Sequence, residues 1–302
     1  MTDITADQFS YTDAHGIDIT VYRWLPGALR ADTDVIAGPL DLQPLHGVVQ
    51  LAHGIGEHAG RYDDFARALA RSGFAVYADD HRGHGQTGLR QWGGDTSKLG
   101  RLGPGGLRAT EAAILQLTGI IRERHPDLPV AMLGHSWGSL MTQRLLNEHP
   151  QAWEAVILTG SAYRTPAAME SGNLNKRWQG PGANGFEWLS RDPAVAQAFI
   201  ADPLCFAANI VKLFGVADGL RLFGTPQGQF APGVPILIAS GSDDPLSRGD
   251  GLRRLAEAYR AHGVRDVTLK VYPEARHEIL NETNRTEVYA DLVTWLTDRL
   301  SE

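Results

Sequence analysis

Residues 129–148 read Pro129-Val130-Ala131-Met132-Leu133-Gly134-His135-Ser136-Trp137-Gly138-Ser139-Leu140-Met141-Thr142-Gln143-Arg144-Leu145-Leu146-Asn147-Glu148. An apolar run of strand type enters Gly134-His135-Ser136-Trp137-Gly138, and a helical pattern over 140–148 leaves it. Gly-x-Ser-x-Gly between a strand and a helix describes a sharp turn that strains the serine backbone and lifts its hydroxyl over the sheet. The flanking glycines remove Cβ atoms that would clash in so tight a turn. The serine also stands at the start of a helix, near backbone N–H donors. Ser136 is therefore read as a nucleophile. The plainer alternative is a capping serine in a Gly-rich turn, which the strand–helix context disfavours.

Outward from this turn the same rhythm repeats. Apolar runs at 47–52, 74–78, 129–133 and 155–158 alternate with helical patterns at 62–72, 105–124 and 140–148. Runs of this kind are strands buried on both faces, hence an α/β fold with parallel strands. Upstream, 9–12 and 17–24 flank a turn at His15-Gly16 and read as a hairpin, and 25–46 reads as a long surface loop. Downstream the rhythm breaks from about 163 and resumes with a strand at 234–240, a helix at 251–262, a strand at 267–272 and a helix at 285–300. The expected organisation is an α/β core of 1–162 and 233–302 interrupted by a helical cap at 163–232. Insertions of this kind cover sites at the carboxyl ends of strands.

A serine hydroxyl needs a base. In a fold of this type the chain order is Ser, acid, His. Of 11 histidines only His262 and His277 lie far downstream. His262 ends a helix, where it favours the helix C-terminus. His277 follows the 267–272 strand in a loop and is the expected base. The strand at 234–240 ends in Gly241-Ser242-Asp243-Asp244-Pro245, where two aspartates compete to orient the imidazole. Adjacent residues of an extended chain point oppositely, and Pro245 holds Asp244 extended, which favours Asp244 over Asp243. The oxyanion formed in acyl transfer needs N–H donors. Trp137, directly after the nucleophile, supplies one. Ile55, in His53-Gly54-Ile55-Gly56-Glu57-His58 after the 47–52 strand, supplies the other.

Composition narrows the partners. The chain has 302 residues, 43% hydrophobic, and a formal charge of -7 with scattered Arg, which argues against a nucleic-acid partner. A lone Cys205 forms no intrachain disulfide, and the N-terminus lacks the basic start and apolar run of a signal peptide, so a cytoplasmic protein is expected. Asp79-Asp80-His81-Arg82-Gly83-His84 superficially suggests a metal cluster, but its spacing fits none. His81 and Arg82 are read as structural hydrogen-bonders. No metal and no organic cofactor is expected.

Taken together, His53-Gly54-Ile55-Gly56-Glu57-His58-Ala59-Gly60-Arg61-Tyr62, Asp80-His81-Arg82-Gly83-His84-Gly85-Gln86, Gly134–Gly138, Gly241–Asp244 and Tyr272–His277 resemble the α/β-hydrolase superfamily. Within it they are similar to the monoacylglycerol lipase and lysophospholipase branch, grouped with serine aminopeptidase-like (S33) hydrolases. The resemblance spans nearly the whole chain. It implies a mostly parallel eight-stranded sheet flanked by helices with an inserted helical cap, Asp244 as the acid and Ile55 as the second oxyanion donor. It also implies a monoacylglycerol or lysophospholipid-like single-chain ester as substrate. His135 stands where proline aminopeptidases of the superfamily often carry Gly, and Ser136 where dehalogenases and epoxide hydrolases carry Asp. The loop at 25–46 and the cap sequence depart from the family. An amidase or peptidase using the same triad, and a non-catalytic ligand-binding homologue, remain the alternatives.

His53, Phe206, Ile210 and Phe214 are expected to line the substrate pocket. Phe206, Ile210, Val211 and Phe214 form a helical stripe continued by Leu220, Leu222 and Phe223. Such a stripe is read first as packing over the pocket, second as a lid in transient contact with a membrane or micelle. Trp178, Phe186 and Trp188 are candidates for the same mouth. Oligomeric state is not encoded in any pattern found.

Overall fold

The alternating runs fold into one eight-stranded sheet in the order β1-β2-β4-β3-β5-β6-β7-β8. The computed structural model describes residues 4–27, 45–230 and 233–300. The strands are β1 (Ile4–Thr12), β2 (Asp18–Pro26), β3 (Gly47–Ala52), β4 (Phe74–Asp79), β5 (Val130–His135), β6 (Ala155–Thr159), β7 (Ile236–Gly241) and β8 (Val267–Tyr272). β1 pairs with β2 and β2 with β4 in antiparallel register, and the other neighbours are parallel. The hairpin turn spans Asp13–Ile17, where Gly16 at φ 76° closes it. β2 continues through Pro26, so the expected loop begins later than residue 25, and most of it lies outside the described residues.

Every residue of β3 to β7 is buried, the reason these strands read as continuous apolar runs. Successive side chains feed opposite faces. Val48, Val130, Met132, Val156, Leu158 and Ile238 pack with α3 (Gly106–Arg124), α4 (Trp137–Glu148) and α7 (Gly251–Ala261). Val49, Leu51, Ala131, Leu133, Ile157 and Leu237 pack with α1 (Asp63–Arg71) and α8 (Arg285–Leu300). Each fully buried Leu or Ile contributes about 1.5–3 kcal/mol by leaving water, so the two faces together fix the sheet between its helices. A polar exception, Gln50, is satisfied by Ile114 O and Thr118 Oγ1.

Because β3 to β8 run parallel, their carboxyl ends open on one edge of the sheet. Between β6 and β7 no strand occurs among the described residues. That stretch holds α5 (Pro193–Ala201) and α6 (Ile210–Arg221). Asp192 caps α5 through Ala194 N–H, with Pro193 at the first turn, and Asn209 caps α6 through Lys212 N–H. Gly215, at φ 79° and ψ 170°, breaks α6 in two, so the stripe expected on one helix is split. A short helix absent from the sequence reading, α2 (Gly85–Gln91), follows β4.

Candidate active site

β5 delivers Ser136 at the carboxyl edge, and α4 begins with the next residue. Ser136 adopts φ 52° and ψ -120°, a positive φ that an L-residue holds only at a cost of about 1–3 kcal/mol. The glycines on either side of it are closely packed. A Cβ at Gly138 would lie 2.2 Å from Ala52 O, and one at Gly134 would lie 2.6 Å from Thr142 Oγ1. Ser136 N–H donates to Thr159 O at 3.0 Å, and Ser136 O accepts from Leu140 N–H and Ser139 Oγ. The turn is thus held by both neighbouring elements while the side chain faces a cavity.

His277 reaches the same cavity from the loop after β8. Its Nδ1 lies 2.9 Å from Asp244 Oδ1, and both side chains are buried. Asp244 Oδ1 also accepts Leu246 N–H at 2.9 Å, and Oδ2 accepts Ser240 Oγ at 3.1 Å. Burial works to raise the Asp244 pKa, but His277 and these donors hold it below the usual carboxylate value. Burial works to lower His277, but Asp244, with Glu278 and Glu57 beyond it, holds it above the ordinary histidine value. His277 Nε2 is buried and has no hydrogen-bond partner among the described residues. Asp243 points elsewhere, pairing with the exposed Arg177 at 2.8 Å. His262 caps the end of α7 and bonds Gly228 O, away from this site.

Ile55 and Trp137 bracket Ser136. Trp137 opens α4, where the first backbone N–H groups have no intrahelical acceptor. The Gly54-Ile55 segment lies so close that a Cβ on Gly54 would come within 3.1 Å of Ser136 Cβ. Glu57 Oε1 takes the Gly54 N–H at 2.7 Å and fixes this loop.

The cavity holds about 670 Å³, within the range of small-molecule sites, and its lining is mostly apolar. Ser136, His277, Ile55 and Trp137 line it, as do Phe206, Ile210, Phe186 and Trp188. Three expectations are corrected. His53 is not among the lining residues: it is wholly buried, its Nδ1 bonds Gly54 O, and its Nε2 accepts His81 N–H. With both nitrogens used and burial depressing its pKa, it braces the loop as a neutral ring. Phe214 stands one layer back, its ring 5.0 Å from the Trp137 ring. Trp178 stacks instead beneath Arg276. Beyond these, His81 bonds Asp79 at 2.7 Å, and Arg82 is buried beside Asp13.

Several groups escaped the sequence reading. Trp188 O accepts His277 N–H at 3.3 Å and its ring lies 4.7 Å from the imidazole. His135, whose pKa burial and His277 push down to about 4, lies against His277 on another side. Arg61, Glu57 and Glu278 form a buried ion cluster beside the site. The one trio of metal-ligand type among the described residues is His58, Asp202 and Cys205, where His58 Nε2 already bonds Asp202 at 2.8 Å. No helix among the described residues is long and apolar enough to cross a membrane.

Residues 43–284 match the family model described as serine aminopeptidase, S33. The chain is 31% identical to a monoacylglycerol lipase of Mycolicibacterium smegmatis, over 99% of this chain and all of that one. It is 27% identical to the monoglyceride lipase of Rattus norvegicus over 84% of this chain and 83% of that one. Among solved structures it is similar to a thermostable carboxyl esterase from Bacillus coagulans in complex with glycerol. There the TM-score is 0.81, with 25% identity and 98% and 99% of the two chains covered. It is also similar to a monoacylglycerol lipase of Paleococcus ferrophilus, with TM-score 0.62, 25% identity and coverage of 85% and 96%. A serine turn on this sheet, a matching model over most of the length and full-length similarity to a lipase lead to one assignment: the chain belongs to the serine aminopeptidase S33 family of α/β-hydrolases, in its monoacylglycerol lipase-like branch, and is a carboxylic ester hydrolase.

Proposed function

We propose that the chain hydrolyses monoacylglycerols or similar single-chain lipid esters through an acyl-enzyme on Ser136. In this reading His277 takes the Ser136 hydroxyl proton while Asp244 fixes the imidazole tautomer and stabilises its charged form. The serine oxygen attacks the ester carbonyl, and the N–H groups of Ile55 and Trp137 hold the oxyanion. Collapse releases the alcohol, which takes the proton from His277. Water then loses a proton to His277 and attacks the acyl carbon, and collapse frees the fatty acid while Ser136 Oγ takes the proton back from His277.

The observation that carries this reading is the His277–Asp244 hydrogen bond of 2.9 Å, with the other imidazole nitrogen unpartnered in a cavity shared with Ser136. The apolar lining suits a single acyl chain, and the relatives named as monoacylglycerol and monoglyceride lipases support the substrate class. The described part of residues 163–232 serves as the cap over this cavity. Exposed Ile200, Val211, Val216 and Leu220 on α5 and α6 form an apolar rim suited to brief contact with a membrane or micelle during uptake. A single cysteine needs no oxidising compartment, and we place the enzyme in the cytoplasm.

The test is a panel of p-nitrophenyl esters, monoacylglycerols of graded length and an aminoacyl amide, run beside Ser136→Ala. Turnover of monoacylglycerols, abolished by Ser136→Ala in a folded protein, is expected. Faster turnover of the amide would overturn the substrate class. Undiminished activity of Ser136→Ala would overturn the mechanism.

A further inference from the structure

Arg61 sits in the short turn Ala59–Tyr62 and is largely buried, yet the scheme above gives it no task. Its Nη1 donates to Glu57 Oε2 at 2.5 Å and to Glu278 Oε1 at 2.7 Å, and its Nη2 donates to Glu278 Oε2 at 2.8 Å. Glu57 Oε1 receives the Gly54 N–H and the Tyr62 hydroxyl, each at 2.7 Å. Glu278 directly follows His277, and its Oε2 also accepts from Asn281. Phe199 of α5 covers the guanidinium at 5.0 Å. One side chain therefore joins three segments: the loop carrying Ile55, the loop carrying His277, and a helix beyond β6.

Stability alone is a poor reason for such a cluster. Desolvating buried ions costs about as much as their attraction returns, and apolar residues of equal volume often do as well. What the bidentate fork adds is direction, because a planar guanidinium holds two carboxylates at fixed angles. Glu57 grips the Gly54 N–H beside Ile55 by one hydrogen bond, and Glu278 is the residue that follows His277.

We propose that Arg61 is a positioning residue that holds the Gly54-Ile55 and His277-Glu278 segments in one register. The proposal rests on the assignment of Ser136, His277 and Ile55 above. It also sets charge around the base. His277 faces Asp244 from the loop after β7, His135 from β5, Glu278 beside it and Glu57 from the loop after β3, with Trp188 as an uncharged neighbour. Arg61 is the cation that neutralises Glu57 and Glu278. The base must be neutral to work, so activity falls as pH drops through its pKa. Removing Arg61 leaves two carboxylates bare and moves that acid limb to higher pH. Removing the Glu278 charge moves it to lower pH.

The experiment measures kcat, KM and the acid limb on a p-nitrophenyl ester for Arg61→Met, Glu278→Gln, the control Arg67→Met and His277→Ala. Arg67 pairs with Asp63 on the exposed side of α1 and lies outside the site. Expected for both cluster variants is a loss of kcat of about ten- to hundredfold with KM changed less than about threefold, as for misplaced reacting groups. The limbs should shift in opposite directions, which a packing defect would not produce. If Arg61→Met fails to fold, the near-isosteric Glu278→Gln decides alone. Wild-type kcat and acid limb in a folded Glu278→Gln, while His277→Ala is inactive, would overturn the positioning role only. Activity surviving in His277→Ala would overturn the underlying assignment instead.

Discussion

Asp244→Asn separates the charge of the acid from its geometry. Two donors, His277 Nδ1–H and Leu246 N–H, converge on Asp244 Oδ1, and the Ser240 hydroxyl meets Oδ2. An asparagine therefore has one good orientation. Its carbonyl oxygen must take the Oδ1 position, since an amide nitrogen there would face two donors. Its NH2 then meets the Ser240 oxygen, which can accept. The imidazole keeps its tautomer and place, and only the negative charge is lost. At a charge separation of about 4 Å and an effective dielectric near 20, that charge stabilises the imidazolium by about 4 kcal/mol. The expected loss in kcat is thus about 10³-fold. Because Asp244 raises the His277 pKa, the acid limb should move to lower pH, so the loss cannot come from a protonated base. Asp244→Ala should be worse, because it also leaves two buried N–H groups unpaired at about 1–3 kcal/mol each. Asp243→Asn, which breaks only an exposed pair with Arg177, should stay within about twofold of wild type. The assay is steady-state ester hydrolysis across pH with urea unfolding of each variant. Asp244→Asn within about tenfold of wild type, with an unmoved acid limb, would refute the electrostatic role.

Gly138→Ala should fail to give folded protein or lose more than about 3 kcal/mol, because its Cβ would meet Ala52 O at 2.2 Å and His53 O at 2.6 Å; thermal unfolding checks it. Stability should fall with acid below pH 6.5. Burial holds His53 below its ordinary value, His84 at about 3 and His135 at about 4, so unfolding takes up their protons in that window; Asp80, raised to about 6 by burial, offsets one of them. Three imidazoles against one carboxyl leave about two protons near pH 5, or roughly 3 kcal/mol per pH unit in urea titrations. A flat profile between pH 6 and pH 5 would count against the buried neutral rings. Leu174→Trp narrows the cavity, and the ratio of kcat/KM for long over short acyl esters should fall about tenfold.

How much of this was legible varies with the physics behind each feature. β3 to β7 were readable because burial on both faces favours apolar residues along most of each strand, with polar exceptions such as Gln50. The helix α2 was not, because Gly85, Gly88 and polar neighbours give no periodic stripe; the loop of Asp80 holds it, through Gln86 N–H at 2.6 Å. The serine turn carries a local signature, whereas the pairing of Asp244 with His277 depends on two strand ends meeting in space, and Pro245 was the only local hint. His53 misled because a histidine beside the Gly54-Ile55 loop fits a pocket as well as a brace, and only its ring partners decide. The Arg61 cluster left no trace, since Glu57 and Glu278 lie on different strand ends and charged residues in loops usually face water. The stripe on α6 misled in another way: Phe206 lies before the helix, Gly215 breaks it, and Val211 and Leu220 stand more than half exposed.

Crowding distributes tolerance unevenly over the molecule. Where strand ends meet the reacting groups, glycines stand against backbone: a Cβ at Gly241 would lie 1.9 Å from Ala275 O, in the loop leading to His277. Backbone cannot rotate away as a side chain can, so these positions admit no other residue without displacing the loops they support. Between β6 and β7 the case is reversed. Gly180, Gly182, Gly185 and Gly215 have nothing within 4 Å of an added Cβ. Only the positive φ at three of them opposes substitution there, at a cost of about 1–3 kcal/mol rather than a collision. Change can therefore accumulate between β6 and β7 while the geometry at the strand ends stays fixed. Sequence drift in that segment should alter which acyl chain enters long before it alters what happens to the ester once inside.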